Sequence, residues 1–178
     1  MIELFIFLVL LYIVISVVIW SIKTGISPMF SSFQVISHLS SEINKLDKNT
    51  IVDLGSGWGI LAIIIAKKNP SKKVIGYELS PFPFYFSNIL VYILQIENIH
   101  FYKKDFLQEE FDSDYLYFAY LFPKGMENLE NKILKTDKKL LLISSTFALP
   151  TINAFKKNYL NNLFKTPIYT YKIEKKHR

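Results

Sequence analysis

The stretch DLGSGWG, residues 53–59, decides the fold of this chain. It directly follows the apolar pair Ile51 and Val52, and it places glycines at positions 55, 57 and 59. Glycines on alternate positions contribute little to a core, but they suit a turn whose backbone approaches another group closely. In an open α/β sheet, ligands bind at the carboxyl ends of the strands, beside such turns. The stretch therefore predicts a strand followed by a turn that leaves room for a nucleotide-like ligand.

The spacing of the glycines argues against two common nucleotide sites. The dinucleotide fingerprint G-x-G-x-x-G places its third glycine one residue later, and a P-loop needs a lysine followed by serine or threonine, which is absent here. Asp53 stands directly before the turn, where its carboxylate would repel a pyrophosphate but could hold an ammonium group.

Apolar strand-like and helix-like segments alternate on both sides of this turn. This alternation predicts an α/β fold with a doubly wound, mostly parallel sheet covered on both faces. The last two segments predict an antiparallel hairpin at the sheet edge. The predicted strands are residues 50–54, 73–78, 99–104, 115–121 and 140–145, the helices are 60–69, 81–96 and 124–135, and the hairpin is 151–159 with 167–173.

The N-terminal segment is uncharged and apolar over residues 4–20. Its length is close to that of a membrane-spanning helix, so it predicts an N-terminal transmembrane helix that anchors the chain in the bilayer. A cleaved signal peptide is disfavoured because Glu3 precedes the run and Trp20 ends it, whereas a buried core helix remains an alternative. Lys23 follows the run, so the positive-inside rule predicts a single-pass membrane protein whose C-terminal domain is cytoplasmic.

Three parts of the chain follow from these patterns. Residues 1–22 are the predicted anchor, 23–47 a connecting loop and an amphipathic helix over 32–46, and 48–178 the α/β domain. The amphipathic helix is expected to pack on the domain, with a position along the bilayer as the alternative.

Composition narrows the chemistry further. The chain has 178 residues, no cysteine and three scattered histidines, so no metal site is expected. A net charge of +6 with dispersed lysines favours general attraction to anionic surfaces over a dedicated nucleic-acid patch.

The glycine turn and two later acidic residues resemble the cofactor motifs of the class I S-adenosylmethionine-dependent methyltransferases. In that family, the acid at the end of the second strand binds the ribose hydroxyls, and the acid after the third strand binds the adenine amino group. The resemblance implies S-adenosylmethionine as cofactor. The implied cofactor-binding residues are Asp53, Gly55, Ser56, Gly57, Trp58, Gly59, Glu78, Leu79, Asp105 and Phe106. The alternatives are a solvated glutamate at the strand end for Glu78 and a helix N-cap for Asp105.

The order of elements resembles a narrower group, the small membrane-anchored protein-lysine methyltransferases that include the enzyme for the ATP synthase c subunit, and their bacterial relatives. The resemblance rests on the apolar N-terminus, DLGSGWG, YELSP at 77–81, YLFP at 120–123 and STFALP at 145–150. It implies a protein substrate whose lysine enters past Tyr120, Phe122 and Pro123. Sheet core is the alternative for Tyr120 and Phe122, and no general base is evident. YLFP lacks the Asn or Asp that amine-methylating enzymes often carry there, which argues against adenine or glutamine as the acceptor.

The sequence thus predicts an S-adenosylmethionine-dependent methyltransferase that modifies a lysine of a membrane-associated protein. Two alternatives remain: methylation of a small molecule, lipid or RNA, and a membrane-tethered binding module without turnover. The helix over 81–96 is apolar on nearly every side and is expected to be buried. The alternative is that its aromatic residues Phe82, Phe84, Tyr85 and Phe86 touch the bilayer.

Overall fold

The computed structural model describes residues 1–24, 33–162 and 164–174. Seven strands form one sheet in the order β3-β2-β1-β4-β5-β7-β6. Strands β1 to β5 are parallel, and β7 lies antiparallel between β5 and β6. The strands are β1 (Thr50–Leu54), β2 (Lys73–Tyr77), β3 (Ile99–Tyr102), β4 (Tyr115–Ala119), β5 (Leu140–Ser145), β6 (Lys156–Tyr159) and β7 (Pro167–Ile173).

Five helices accompany the sheet within the described residues. They are α1 (Ile2–Thr24), α2 (Phe33–Lys45), α3 (Ile60–Lys68), α4 (Pro81–Ile93) and α5 (Pro123–Ile133). The predicted α/β fold, its parallel strands and the antiparallel hairpin at the edge are confirmed. Several strands are one or two residues shorter than predicted, so that Glu78 lies just beyond β2 rather than in it. The first hairpin strand, β6, begins at Lys156 instead of at residue 151.

The core consists of two apolar clusters, one on each face of the sheet. Side chains alternate along β1, so that Ile51 joins the first cluster and Val52 the second. Helices α2 and α3 contribute to the first cluster and α5 to the second. Because both faces of the sheet are covered, the strand ends are the accessible places for a ligand.

Helix α2 packs on the domain, as expected from its periodicity. Its apolar side chains Val35, Ile36, Leu39 and Ile43 are buried in the first cluster together with residues of α3. Helix α2 therefore covers the outer side of α3.

Helix α4 differs from its prediction. The sequence predicts that this uncharged segment is buried, but Tyr85, Phe86, Ile89, Tyr92 and Ile93 are exposed, and only Pro83 and Ser87 are fully buried. The prediction of a buried helix is therefore wrong for the outer side of α4. The physical reason is its position beside edge strand β3, where no element of the described chain covers it as α2 covers α3.

The apolar N-terminal segment forms α1, a helix of 23 residues. Most of its described large side chains are exposed, from Leu4 to Ile19, so the alternative of a buried core helix is wrong. Tyr12 packs edge-on against Phe82 of α4, with ring centroids 5.6 Å apart. In the part of the chain that the structure describes, no helix combines the length and hydropathy needed to cross a membrane, so the predicted transmembrane anchor is not supported. Most of the predicted connecting loop, residues 25–32, lies outside the described residues.

Candidate cofactor and acceptor site

The glycine turn folds back onto the end of β2. All three glycines have left-handed backbone conformations, with φ of 79° at Gly55, 54° at Gly57 and 76° at Gly59. The N–H groups of Gly55 and Ser56 donate to the carbonyl oxygen of Tyr77 at 3.0 and 2.8 Å. Residues that carry a Cβ atom rarely adopt such φ values, so this turn favours glycine at these positions.

The missing side chains serve different purposes within this turn. A Cβ atom added at Gly57 would meet nothing within 4 Å, so the turn is open to a ligand there. A Cβ atom at Gly59 would lie 2.5 Å from the ring of Phe101 and 2.7 Å from the Cβ atom of Ser87. The expectation that all three glycines clear space for a ligand is therefore wrong for Gly59, which allows α3 and α4 to pack closely on the sheet.

Glu78 lies against the open part of the turn. Its side chain is only 3 % exposed, and its carboxylate accepts the N–H of Gly57 at 2.8 Å and the N–H of Ser80 at 2.6 Å. Burial raises the pKa of Glu78, while these backbone hydrogen bonds act in the opposite direction. The alternative of a solvated glutamate is wrong, because this carboxylate is buried and fixed in orientation.

Asp53 provides a second buried carboxyl group near Glu78. It is the fourth residue of β1 and is almost fully buried. Burial, together with the negative charge of Glu78, raises the pKa of Asp53 to about 7. Two buried acids without a described cationic partner favour a positively charged ligand, because a nearby cation stabilises the ionised carboxylates.

The other predicted cofactor residues lie in the glycine turn, next to Glu78 in the chain, or shortly after β3, the neighbour of β2 in the sheet. Leu79 is half-buried beside Glu78, and Phe106 is buried in the second cluster. The Oδ1 atom of Asp105 accepts the N–H of Leu107 at 2.9 Å and thereby closes a turn after β3, close to the capping role weighed as its alternative. Trp58 is half-buried and packs edge-on against Phe86 of α4 at 5.1 Å.

The predicted acceptor residues follow β4, directly beside the glycine turn. Leu54 of β1 pairs with Ala119 of β4, so the residues that directly follow the two strands, Gly55 and Tyr120, lie side by side. Tyr120 is half-buried and packs partly against the first cluster, which leaves it between the core and the site. Phe122 precedes the first turn of α5, and Pro123 is the exposed first residue of that helix, where proline is favoured.

The loop after β5 adds an aromatic side chain that the sequence analysis missed. Ala119 of β4 pairs with Ser144 of β5, which brings the loop next to the end of β4. The ring of Phe147 lies 6.2 Å from that of Phe122. The hydroxyl of Ser144 donates to the carbonyl oxygen of Phe147 at 2.8 Å, so the loop turns back on its own strand.

A buried acid, also missed, holds the far end of this loop. The carboxylate of Glu130 in α5 accepts the N–H and hydroxyl of Thr151, at 2.9 and 2.7 Å, and the N–H of Ile152 at 3.1 Å. Burial disfavours its charge, but these hydrogen bonds outweigh that effect and hold the pKa of Glu130 below its usual value. The sequence signal was available, because Glu130 shares the apolar helix face of Met126, Leu129 and Ile133.

The described residues contain no candidate metal site. No group of three or more His, Cys, Asp or Glu side chains there is arranged to hold an ion.

The strand order, the glycine turn and the buried acid after β2 define the class I S-adenosylmethionine-dependent methyltransferases. A family model, described as the ANTKMT methyltransferase domain, matches residues 53–156. The chain belongs to this family, and S-adenosylmethionine is its cofactor.

Individual relatives are more distant. A tRNA (guanine-N(7)-)-methyltransferase from Mycoplasmopsis pulmonis is 28 % identical over 145 residues, which are 68 % of this chain and 70 % of the relative. An RNA methyltransferase from Salinibacter ruber, solved with S-adenosyl-L-homocysteine, superposes with a TM-score of 0.66 at 16 % identity, over 84 % of this chain and 97 % of the other. The putative methyltransferase yhhF from Escherichia coli gives a TM-score of 0.64 at 12 % identity, over 82 % and 88 %. The likeness to these structures is one of fold.

Proposed function

We propose that this methyltransferase transfers the methyl group of S-adenosylmethionine to the side-chain amine of a lysine in a membrane-associated protein. The observation that carries the proposal is the position of the aromatic strand end at Tyr120 beside the glycine turn, next to the two buried acids. In this proposal, the two acids form a cofactor site that attracts cations, and the aromatic rings beside it form the acceptor side.

In this proposal the two acids share the binding of the cofactor. Glu78 accepts hydrogen bonds from the ribose hydroxyls, and Asp53 attracts the ammonium group of the methionine part. Gly57 permits close approach of the ligand because a side chain there would project into the open space of the turn. Leu79 and Phe106 flank the adenine ring, whose amino group donates to Asp105.

The acceptor side would hold the lysine and help it to lose its proton. When bound, S-adenosylmethionine supplies an electrophilic methyl group on a sulfonium, so the protein must align the amine with it and exclude water. The rings of Tyr120, Phe122 and Phe147 offer faces that attract an ammonium group. A site poor in water lowers the pKa of a lysine, which increases the fraction with a free lone pair.

The membrane-associated acceptor and a location on the cytoplasmic side of a membrane are further parts of the proposal. The exposed apolar side chains of α1 and the resemblance to membrane-anchored lysine methyltransferases support the first, and Lys23 after the apolar run supports the second.

RNA is the second candidate acceptor. The relative from Mycoplasmopsis pulmonis is named as a tRNA methyltransferase, and the net charge of +6 suits a phosphate backbone. A small molecule or lipid acceptor, or a binding module without turnover, would instead leave both protein and RNA unlabelled.

The test is transfer of labelled methyl groups from S-adenosylmethionine by the full chain. Membrane protein extract and total RNA are offered separately, with the Glu78→Ala variant as the matched control. We expect label in protein, recovered as methyl-lysine after hydrolysis and absent with the variant. Label in RNA alone, or in neither fraction, would overturn the lysine proposal.

A further inference from the structure

The outer side of α4 is an exposed apolar surface, which we call the α4 face. Its residues recur at helical spacing and form one stripe along the helix. Tyr92 is 84 % exposed and Ile93 is 66 % exposed. The members of the α4 face are Tyr85, Phe86, Ile89, Tyr92 and Ile93.

This surface lacks the features of a helix side that faces water. Helix α4 contains no charged residue, and apart from tyrosine hydroxyls Asn88 supplies its only exposed polar side chain. Surface helices of water-soluble domains usually carry charged residues on the side away from the core. A contiguous exposed apolar patch instead marks a place where a partner or a membrane binds.

The α4 face continues into the apolar surface of α1. The two helices meet where Tyr12 packs against Phe82, and the described apolar side chains of α1 are themselves exposed along the helix. A cation lies beside the α4 face, because the Nζ atom of Lys103 is 5.7 Å from the ring centroid of Tyr85. Aromatic rings beside lysine are typical of the interfacial layer of a bilayer, between headgroups and acyl chains.

The same surface adjoins the glycine turn at residues 55–59, which we call the cofactor turn. Phe86 of the α4 face packs edge-on against Trp58, which lies in the turn between Gly57 and Gly59. A membrane in contact with the α4 face would therefore lie next to the site where the methyl group is transferred.

We propose that the α4 face lies in the headgroup and acyl boundary of a lipid bilayer, alongside α1, and holds the cofactor turn at the membrane surface. The inference deepens the proposed function, which names a membrane-associated acceptor. It concerns a contact surface and can be tested without any methyl transfer.

The absence of cysteine makes the test direct, because one introduced cysteine is the only labelling site. Full-length Ile89→Cys and Tyr92→Cys variants carry a polarity-sensitive fluorophore and are mixed with vesicles of phosphatidylcholine and phosphatidylglycerol. Phe164→Cys is the matched control, because Phe164 is also 84 % exposed but follows β6, far along the sheet from α4. We expect a blue shift and quenching by a lipid-borne quencher at positions 89 and 92, and neither at 164.

Three results would overturn the proposal. The first is a chain that does not float with the vesicles, and the second is a chain that floats while the labels at 89 and 92 behave like the label at 164. A blue shift that depends on protein concentration without vesicles would assign the α4 face to a second copy of the chain. Binding of S-adenosylmethionine by the same variants, measured in parallel, reports on the proposed function separately.

Discussion

Two neighbouring units of the sheet, β1 with α3 and β2 with α4, are built from similar parts. In each, an apolar strand leads to a buried acid, Asp53 or Glu78, and then to a helix composed largely of apolar residues. Yet α3 is almost entirely buried except for its final lysines, whereas α4 exposes five large apolar side chains. Similar composition has led to opposite environments.

The difference shows that burial of an apolar helix depends on what covers its outer side. Leu39 and Ile43 of α2 share a cluster with α3, so α3 is enclosed between α2 and the sheet. Helix α4 touches α1 through Tyr12 and packs on edge strand β3. Its outer side is therefore available for an interaction outside the domain.

The largest expected effect on the free energy of unfolding is at Gly59. This residue directly precedes α3, and Ser87 of α4 lies close to it. In Gly59→Ala the new Cβ atom would collide with Phe101 and Ser87, and a φ of 76° would be strained. We expect a loss of about 4 kcal/mol in the free energy of unfolding, from strain and overpacking together. Chemical denaturation measures it.

Gly57→Ala is the control for that variant. It meets open space, so only backbone strain of about 1 kcal/mol is expected. Equal losses in the two variants would mean that Gly59 does not have the packing role described here.

The next effect tests the contrast between the two helices directly. Ile65→Ala removes a fully buried side chain of α3 and should cost about 3 kcal/mol, because it leaves a cavity. Ile93→Ala on the α4 face should change the free energy of unfolding by less than about 0.5 kcal/mol in the absence of vesicles. Similar losses for both, in denaturation experiments, would remove the distinction between α3 and α4.

A third unit, β4 with α5, extends the comparison, because its buried acid lies within the helix. Glu130→Gln keeps the shape of the side chain but loses the charge that the loop donors prefer, so we expect about 2 kcal/mol of destabilisation. Amide hydrogen exchange at Thr151 and Ile152 should accelerate more than exchange in β1. Unchanged protection of those two amides would mean that Glu130 does not hold the loop.

The smallest effect concerns Asp53 in β1, the acid that differs from Glu78 in lacking described backbone hydrogen bonds to its carboxyl group. Asp53, with a pKa raised to about 7, is largely protonated below that pH in the cofactor-free protein. Because the folded state holds this proton more tightly than the unfolded state, protonated Asp53 favours folding at low pH. This contribution to the free energy of unfolding is lost as the pH rises from about 4 through 7. A cationic ligand needs the ionised form, so binding releases a proton, and affinity should rise with pH.

For S-adenosylmethionine we therefore expect about tenfold tighter binding at pH 8 than at pH 6, which corresponds to about 1.4 kcal/mol. Calorimetric titration in buffers of different ionisation enthalpy measures both affinity and proton release. Asp53→Asn should bind more weakly with little dependence on pH. A dependence that survives in this variant would assign the titration to another group.

The sheet and the glycine turn after β1 are predictable from the sequence because both depend on local patterns. The DLGSGWG stretch and the alternation of apolar strands and helices predict a mostly parallel sheet, and they place Glu78 at the end of β2 to within one residue. The separate purpose of Gly59 was not predictable, because it depends on Phe101, more than forty residues later.

Features that depend on distant parts of the chain escaped the sequence analysis. Phe147 meets Phe122 only because β4 and β5 are paired, and no local spacing indicates this. The exposure of α4 follows from the edge position of β3, which the composition of PFPFYFSNILVYI does not reveal.

Binding of S-adenosylmethionine by the glycine turn and Glu78 underlies the whole proposed function. Calorimetric titration of the full chain in detergent, beside Glu78→Ala, tests it most directly. We predict saturable binding of one molecule per chain, with a loss of at least about tenfold in the variant, since a buried carboxylate that accepts ligand hydroxyls contributes more than one ordinary hydrogen bond. A folded chain that gives no binding heat, or a variant that binds as tightly as the original, would contradict the account.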